Sequence, residues 1–207
     1  MSEEQPLNKI RRKEKSKDDA WIRAFLLRGE AGTLATAVSN QPFLVTRNYA
    51  YDAERHAIFL HGAVKGRTFE NVKTNPQVCF SVSEMGRLLP DTKAQEFGVE
   101  YSGVVVFGTS TIVADVDEAM HGLQLLMDKY FPQYESGTDY ETINPSALKV
   151  TAVYRIDIKS WSGKEKKVGD EFPDAFYFED LKRAVWCVIS DLSRFTKRFF
   201  HDDLVKK

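Results

Sequence analysis

The sequence predicts a mostly β fold of the α+β kind: a small barrel of six or so mainly antiparallel strands with flanking helices. Three observations carry this expectation. Short apolar or alternating segments follow one another across turn-forming residues, one short helix interrupts them after the third strand, and one longer amphipathic helix precedes the last. A doubly wound parallel sheet would instead alternate strands with helices throughout.

Asp18 and Asp19 make a helix start, Trp21, Ile22, Phe25 and Leu26 recur at helical spacing and Gly29 supplies the stop, so the first helix covers 17–28. Residues 32–38 (GTLATAV) and 42–51 (PFLVTRNYAY) flank the polar segment SNQ as a hairpin. A second tight connection over 52–56 leads to a third strand at 57–61. The next helix covers 68–74 and stops at Asn75, because Pro76 disfavours the helical conformation of the residue before it. A strand at 77–83 follows. Residues 85–98 lack a clean period and contain Gly86, Pro90 and Asp91, which predicts a long surface loop before a strand at 99–113. An acidic first turn, an apolar face of Met120, Leu123, Leu126 and Met127, and a stop before Pro132 give a helix over 115–130. Val150, Ala152, Tyr154, Ile156 and Ile158 then alternate with polar residues in the last barrel strand.

This order gives a flexible charged leader at 1–16, a barrel domain at 17–172 and a C-terminal helical extension at 173–207. The extension carries a stripe of Leu181, Val185, Val188, Leu192 and Phe195, expected to pack on the barrel or on a partner subunit. With 43% hydrophobic residues in 207, the chain can bury a sizeable core. Its 29 basic and 30 acidic side chains leave a formal net charge of -1, so no global field draws it to nucleic acid or to a membrane surface. Cys79 and Cys187 are too few for a disulfide framework, and His56, His121 and His201 read as scattered surface residues rather than zinc ligands. The first residues are charged where a secretory signal needs an apolar segment, and no run approaches a membrane span, so a cytoplasmic location is expected.

Any anion site must therefore be local. The stretch HGAVKGRTFENV, starting at His61, passes from a strand through a glycine-punctuated turn into a helix. Gly62 and Gly66 let the backbone turn sharply and approach a ligand, Lys65 and Arg67 add positive charge, and Thr68 adds a hydroxyl beside unpaired helix N–H groups. Arg47, on a neighbouring strand, adds a further cation whose direction depends on strand register. His61 ends its strand beside this turn and titrates near neutral pH, which makes it the candidate catalytic residue.

Together, the segments LATAVSNQPFLVTRNYAYD, IFLHGAVKGRTFENVKTNPQVCFSV and SGVVVFGTSTIV resemble the FMN-binding split barrels of the pyridoxamine 5'-phosphate oxidase superfamily. Within that superfamily the chain resembles the Nim-type, nitroimidazole-reductase-like proteins, over roughly residues 10–161. The resemblance implies that Lys65, Gly66, Arg67 and Thr68 hold the FMN phosphate, that Val45, Thr46, Arg47 and Asn48 run under the flavin, and that Leu60, His61 and Gly62 lie beside its ring. It also implies a homodimer with FMN at the subunit interface, to which a second chain contributes Ser102 and Trp161. The implied activity is an FMN-dependent oxidoreductase passing electrons from a small-molecule donor to a nitroaromatic or quinone-like acceptor. Two alternatives stand beside it: a flavin carrier or sensor without turnover, and a haem-binding split barrel with His61 or His201 as ligand. Two departures from the pattern matter. True pyridoxamine-phosphate oxidases carry an Arg and His pair after a Trp near their C-terminus, and Trp161 is followed by SGKEKKVGDEFPDAFYF, which weighs against the vitamin B6 reaction. Thr68 stands where the family's turn often has a second basic residue, a loss that Lys65 offsets.

Overall fold

A computed structural model describes residues 6–181 of the chain, so the expected stripe from Val185 to Phe195 lies outside the described residues. The fold begins with a two-residue strand, β1 (Ser16–Lys17), pairing antiparallel with residues 163–164. Asp18 then caps helix α1 (Asp19–Arg28) by accepting the Trp21 N–H at 2.8 Å, and the helix buries Ile22, Phe25 and Leu26. Strands β2 (Gly32–Val38) and β3 (Gln41–Arg47) form the expected hairpin, with Ser39 and Asn40 at φ of 51° and 61° in the two-residue turn. The expected continuation of that second strand breaks at Asn48 and restarts as β4 (Tyr49–Asp52), which pairs antiparallel with β5 (Ala57–Ala63). Helix α2 (Arg67–Thr74) ends at Asn75, as Pro76 requires.

Strand β6 (Gln77–Leu89) runs through residues expected to be loop, and β7 (Gly98–Ile112) returns from a short connection containing a 3-10 turn at Ala94–Glu96. The alternation expected of a strand is hidden there because Arg87 is partnered rather than solvated. Its guanidinium forms a two-point pair with the buried Glu100 carboxylate, Nε to Oε2 at 3.0 Å and Nη2 to Oε1 at 2.9 Å. That pairing, opposed by burial and assisted by the Val168 and Arg87 N–H groups, holds the Glu100 pKa at about 2. Helix α3 (Val116–Tyr130), capped by Asp115, leads through an irregular stretch to β8 (Thr151–Lys166). The final strand outruns its expected end because its polar residues are engaged: Lys17 pairs with Glu165 at 2.5 Å and Ser102 donates to Glu165 at 3.2 Å.

The strands form one mainly antiparallel sheet in the order β3-β2-β6-β7-β8-β5-β4, with β1 on β8, and the sheet does not close. Two compact units divide the chain, Met1–Glu84 with Ser102–Glu165 and Met85–Tyr101 with the chain from Lys166 onward. The first unit holds a core in which Phe25, Leu34, Tyr49, Ile58, Leu60, Phe80, Tyr154 and Ile156 are fully buried. In the second, the half-buried Arg87 pairs with the buried Glu100.

Strands β3 and β4 sit at opposite ends of the sheet order yet are separated only by Asn48, so the sheet must roll until its two edges meet there. Tyr130 fastens this seam: its hydroxyl accepts the Tyr49 N–H at 3.0 Å and donates to the Glu30 carbonyl at 2.6 Å. Tyr49 in turn donates its hydroxyl to the Leu26 carbonyl at 2.7 Å. Beside them, the Lys129 ammonium lies 3.5 Å from the Tyr49 ring centroid, shut off from solvent and without a hydrogen-bond partner. Burial lowers its pKa from 10.5 to about 8.

Two expected outcomes follow from the seam. Tyr130→Phe leaves the Tyr49 N–H unpaired and should cost about 1–3 kcal/mol in urea denaturation, the usual penalty for an orphaned buried donor. For Lys129, the folded chain releases a proton near pH 8 that the unfolded chain keeps to 10.5, so stability rises with pH across that window. Denaturation of wild type and Lys129→Met over pH 7–11 checks this, the difference between the two curves narrowing as pH rises.

Candidate anion-binding site at the start of helix α2

Period-two alternation puts Phe43, Val45 and Arg47 on one face of β3. Arg47 pairs in register with Gly32 of β2 and extends its guanidinium toward β5 and α2. There Nη1 donates to the His61 carbonyl at 3.3 Å and Nη2 to the Thr68 hydroxyl at 3.2 Å. Arg47 Nε is buried and has no protein partner. A guanidinium carries five N–H donors, so this one is fixed by two bonds and keeps others to offer.

Helix α2 is pinned from its far side: Asn71 donates to the Thr36 hydroxyl at 2.8 Å and Asn75 to the Ala37 carbonyl at 2.9 Å, both on β2. Its N-terminus is left uncapped. Gly66 precedes it at φ 101°, no side chain caps it, and a Cβ on Gly66 would meet nothing within 4 Å. The first-turn N–H groups thus have no side-chain cap, and Thr68 beside them is buried. Gly62 keeps the floor clear, since a Cβ there would come within 3.3 Å of both Arg47 Nη1 and the Tyr154 ring. Lys65 is exposed, and Arg67 turns its guanidinium over the Phe43 ring at 4.8 Å. A guanidinium, a hydroxyl and an uncapped helix start thus stand together, a donor set of the kind a phosphate takes.

The structure thus joins Arg47, His61, Gly62 and Thr68 by direct contact, with Gly66 and Arg67 on the adjoining turn. Thr46 and Asn48 are exposed beside them, Val45 packs partly on the core, and the Leu60 side chain is wholly buried, so only its backbone borders the group. Ser102 and Trp161 have other partners within the chain. Trp161 donates its indole N–H to Asp19 at 2.8 Å and packs against the His56 ring at 4.5 Å and the Tyr51 ring at 6.2 Å. Ser102 meets Glu165.

The histidines differ in setting. The His61 imidazole is exposed but has its pKa lowered, first by partial desolvation and then by the Arg47 charge, so the ring is neutral at pH 7. His56 and His121, expected at the surface, are half-buried. His56 Nδ1 lies 3.3 Å from the Tyr51 hydroxyl, and His121 Nε2 lies 2.8 Å from Asp52 Oδ2. Asp52 is buried, a condition that raises its pKa, but hydrogen bonds from His121 and from the Arg55 N–H and guanidinium outweigh this and hold it at about 2. No charge pattern announces that cluster, because its members come from a turn and a distant helix. His201 lies outside the described residues. Among the described residues, no group of three or more His, Cys, Asp or Glu side chains is placed to hold a metal ion, and no helix is long and apolar enough to cross a membrane.

Phe43 and Tyr154 are the neighbours sequence reasoning passed over. The β3 alternation that carries Arg47 inward also carries Phe43, and that signal was available.

The family model described as pyridoxamine 5'-phosphate oxidase matches residues 18–165. No curated protein matches the chain. Similar solved structures include the FAD and haem binding protein from Mycobacterium smegmatis, at 17% identity and TM-score 0.66, covering 82% of this chain and 80% of that one. A candidate 5-nitroimidazole antibiotic resistance protein from Bacteroides thetaiotaomicron is similar at 20% identity and TM-score 0.59, over 72% of this chain and 84% of its own. An FAD-binding protein from Mesorhizobium loti is similar at 25% identity and TM-score 0.52, over 74% of this chain and 98% of its own.

The electrostatics of the cluster can be checked directly. In an NMR titration the His61 midpoint should fall below 6.5, and in Arg47→Met it should move part of the way back, since desolvation remains. An unchanged midpoint would show that the guanidinium does not face the ring.

Proposed function

The chain belongs to the pyridoxamine 5'-phosphate oxidase family, and on that premise we propose that it is an FMN-binding oxidoreductase whose cofactor phosphate rests on Arg47, Thr68 and the first turn of α2. One observation carries the proposal: a guanidinium held by the His61 carbonyl and the Thr68 hydroxyl, with its Nε buried and unspent, beside an uncapped helix N-terminus. A phosphomonoester takes the guanidinium charge and the helix N–H groups together. Bound FMN supplies the redox chemistry, taking electrons from a small-molecule donor such as a reduced nicotinamide and giving them to a nitroaromatic or quinone-like acceptor.

The chain's own part is binding, orientation and charge. Arg47 offsets the phosphate charge from within the fold, whereas Lys65 and Arg67 do so from exposed positions where water screens them. Gly62 and Gly66 allow close backbone approach. His61, neutral at pH 7, can donate one hydrogen bond or carry one proton at the edge of the site. Strand β3 has no fully buried residue despite its Pro-Phe-Leu-Val run, which supports a homodimer that covers it and brings Ser102 and Trp161 of a second copy to the flavin. Cysteine usage suits a cytoplasmic setting.

The absorption spectrum of the freshly purified protein tests this. Flavin bands released on heating as FMN are expected, and a Soret band, or indifference to added FMN, overturns it. Arg47→Ala should weaken FMN binding by about 1.5–3 kcal/mol, the range for charge-assisted hydrogen bonds. Arg67→Ala, removing an exposed cation, should cost about 1 kcal/mol or less. Fluorescence titration ranks the two, and a larger loss at Arg67 would move the phosphate out to the turn.

A further inference from the structure

One cluster of the first unit shares no residue with the anion site and has a chemistry of its own. Tyr51, 5% exposed on β4, has its ring 6.2 Å from the Trp161 ring and 6.3 Å from that of His56. Its hydroxyl receives an Arg23 Nη1 hydrogen at 2.7 Å and lies 3.3 Å from His56 Nδ1. Those two contacts fix the proton. Arginine can only donate, so the phenolic hydrogen is the one that turns to His56, and Nδ1 accepts it in the tautomer that keeps its own hydrogen on Nε2.

The imidazole is suited to take that proton outright. Burial first, and then the Arg23 charge working against Asp19, lower the His56 pKa, so the ring is neutral at pH 7. The Tyr51 pKa is raised, chiefly by burial, so the resting phenol keeps its proton. His56 reaches this place from the last position before β5 at φ 50°, a left-handed backbone in which glycine or asparagine is the easier occupant. There its ring meets Trp161 edge to face at 4.5 Å.

Trp161 is the member that solvent reaches. It is half-buried where Tyr51 is shut away, Asp19 holds its indole N–H at 2.8 Å, and the Arg23 guanidinium lies 5.1 Å from its ring centre. An oxidising radical arriving from outside therefore meets Trp161 first. A positive charge left on that ring lies under the guanidinium, whereas Tyr51 can give up an electron and stay neutral by releasing its proton to a base already within hydrogen-bond reach.

We infer that Trp161, Tyr51 and His56 form a relay that takes one-electron oxidising equivalents from the protein surface and holds them as a tyrosyl radical. A one-electron oxidant of the radical class that peroxides generate removes an electron from Trp161. An electron from Tyr51 then refills the indole while the phenolic proton passes to His56 Nδ1. The products are neutral Trp161, a Tyr51 phenoxyl radical and a His56 imidazolium. The relay resets when a one-electron donor such as a thiolate returns the electron and His56 returns the proton. None of this rests on the groups assigned to the phosphate.

Pulse radiolysis of the full chain in azide solution tests the relay, because azide radicals oxidise tryptophan in preference to tyrosine at neutral pH. In wild type, tryptophanyl absorption should give way to tyrosyl absorption, with a fastest phase whose rate is independent of protein concentration. Absence of that phase overturns the inference with no variant needed. Tyr51→Phe, which removes one oxygen and keeps the ring, should lose the fastest phase, and so should Trp161→Phe. His56→Gln keeps an acceptor for the phenolic hydrogen but no base, and should slow it. A fastest phase that survives in Tyr51→Phe or Trp161→Phe assigns the radical or its source to other residues, and a wild-type rate in His56→Gln sends the proton elsewhere. Each of these results overturns the inference.

Discussion

Asn48 imposes the constraint on which the rest of the first unit depends. It joins the two edges of a single sheet through one residue, a link no longer than about 7–8 Å between flanking Cα atoms. A flat or gently twisted sheet of this width cannot satisfy that link, so the strands curl into an open barrel. At the seam the Tyr130 hydroxyl takes the Tyr49 N–H, and the Tyr130 and Tyr49 hydroxyls serve the Glu30 and Leu26 carbonyls that pass beside it. Because Arg47 is the last residue before the link, the same curl that satisfies Asn48 also carries the guanidinium to the start of α2.

Among the described residues, three half-buried cationic side chains show three treatments of charge. Arg87 is matched to Glu100 in full, with its remaining donors spent on the Val168 and Gly169 carbonyls, and so it is structural. Lys129 is matched only by aromatic faces and keeps its proton less firmly than a free lysine. Arg47 lies between them, anchored yet with donors in reserve. Of the three, only Arg47 stands beside a helix start with a donor left over.

Much of this was legible in the residues. The α1 and α3 caps, the Ser39–Asn40 hairpin, the Asn75-Pro76 stop and the glycine turn at Gly66 all rest on local chemistry, and local chemistry is what a single sequence records. What escaped was set by distant partners. Residues 85–89 looked like loop because Arg87 finds its acid thirteen positions away, and the end of β8 looked like linker because Glu165 is held by Lys17 and Ser102. For the site, Arg47 and Thr68 were visible as residue types, but only the strand register brings them within 3.2 Å, and Phe43 entered with the same register.

Strand β3 also carries a cost. It is paired on one side only, it exposes 64% of Leu44, and it presents Phe43, Leu44 and Val45 in a row of unpaired backbone groups, the very template on which misassembled chains stack. Pro42 near its start removes one backbone donor from that row, the usual device for blunting an edge. A change at either end of this strand therefore bears on how its open edge meets other chains.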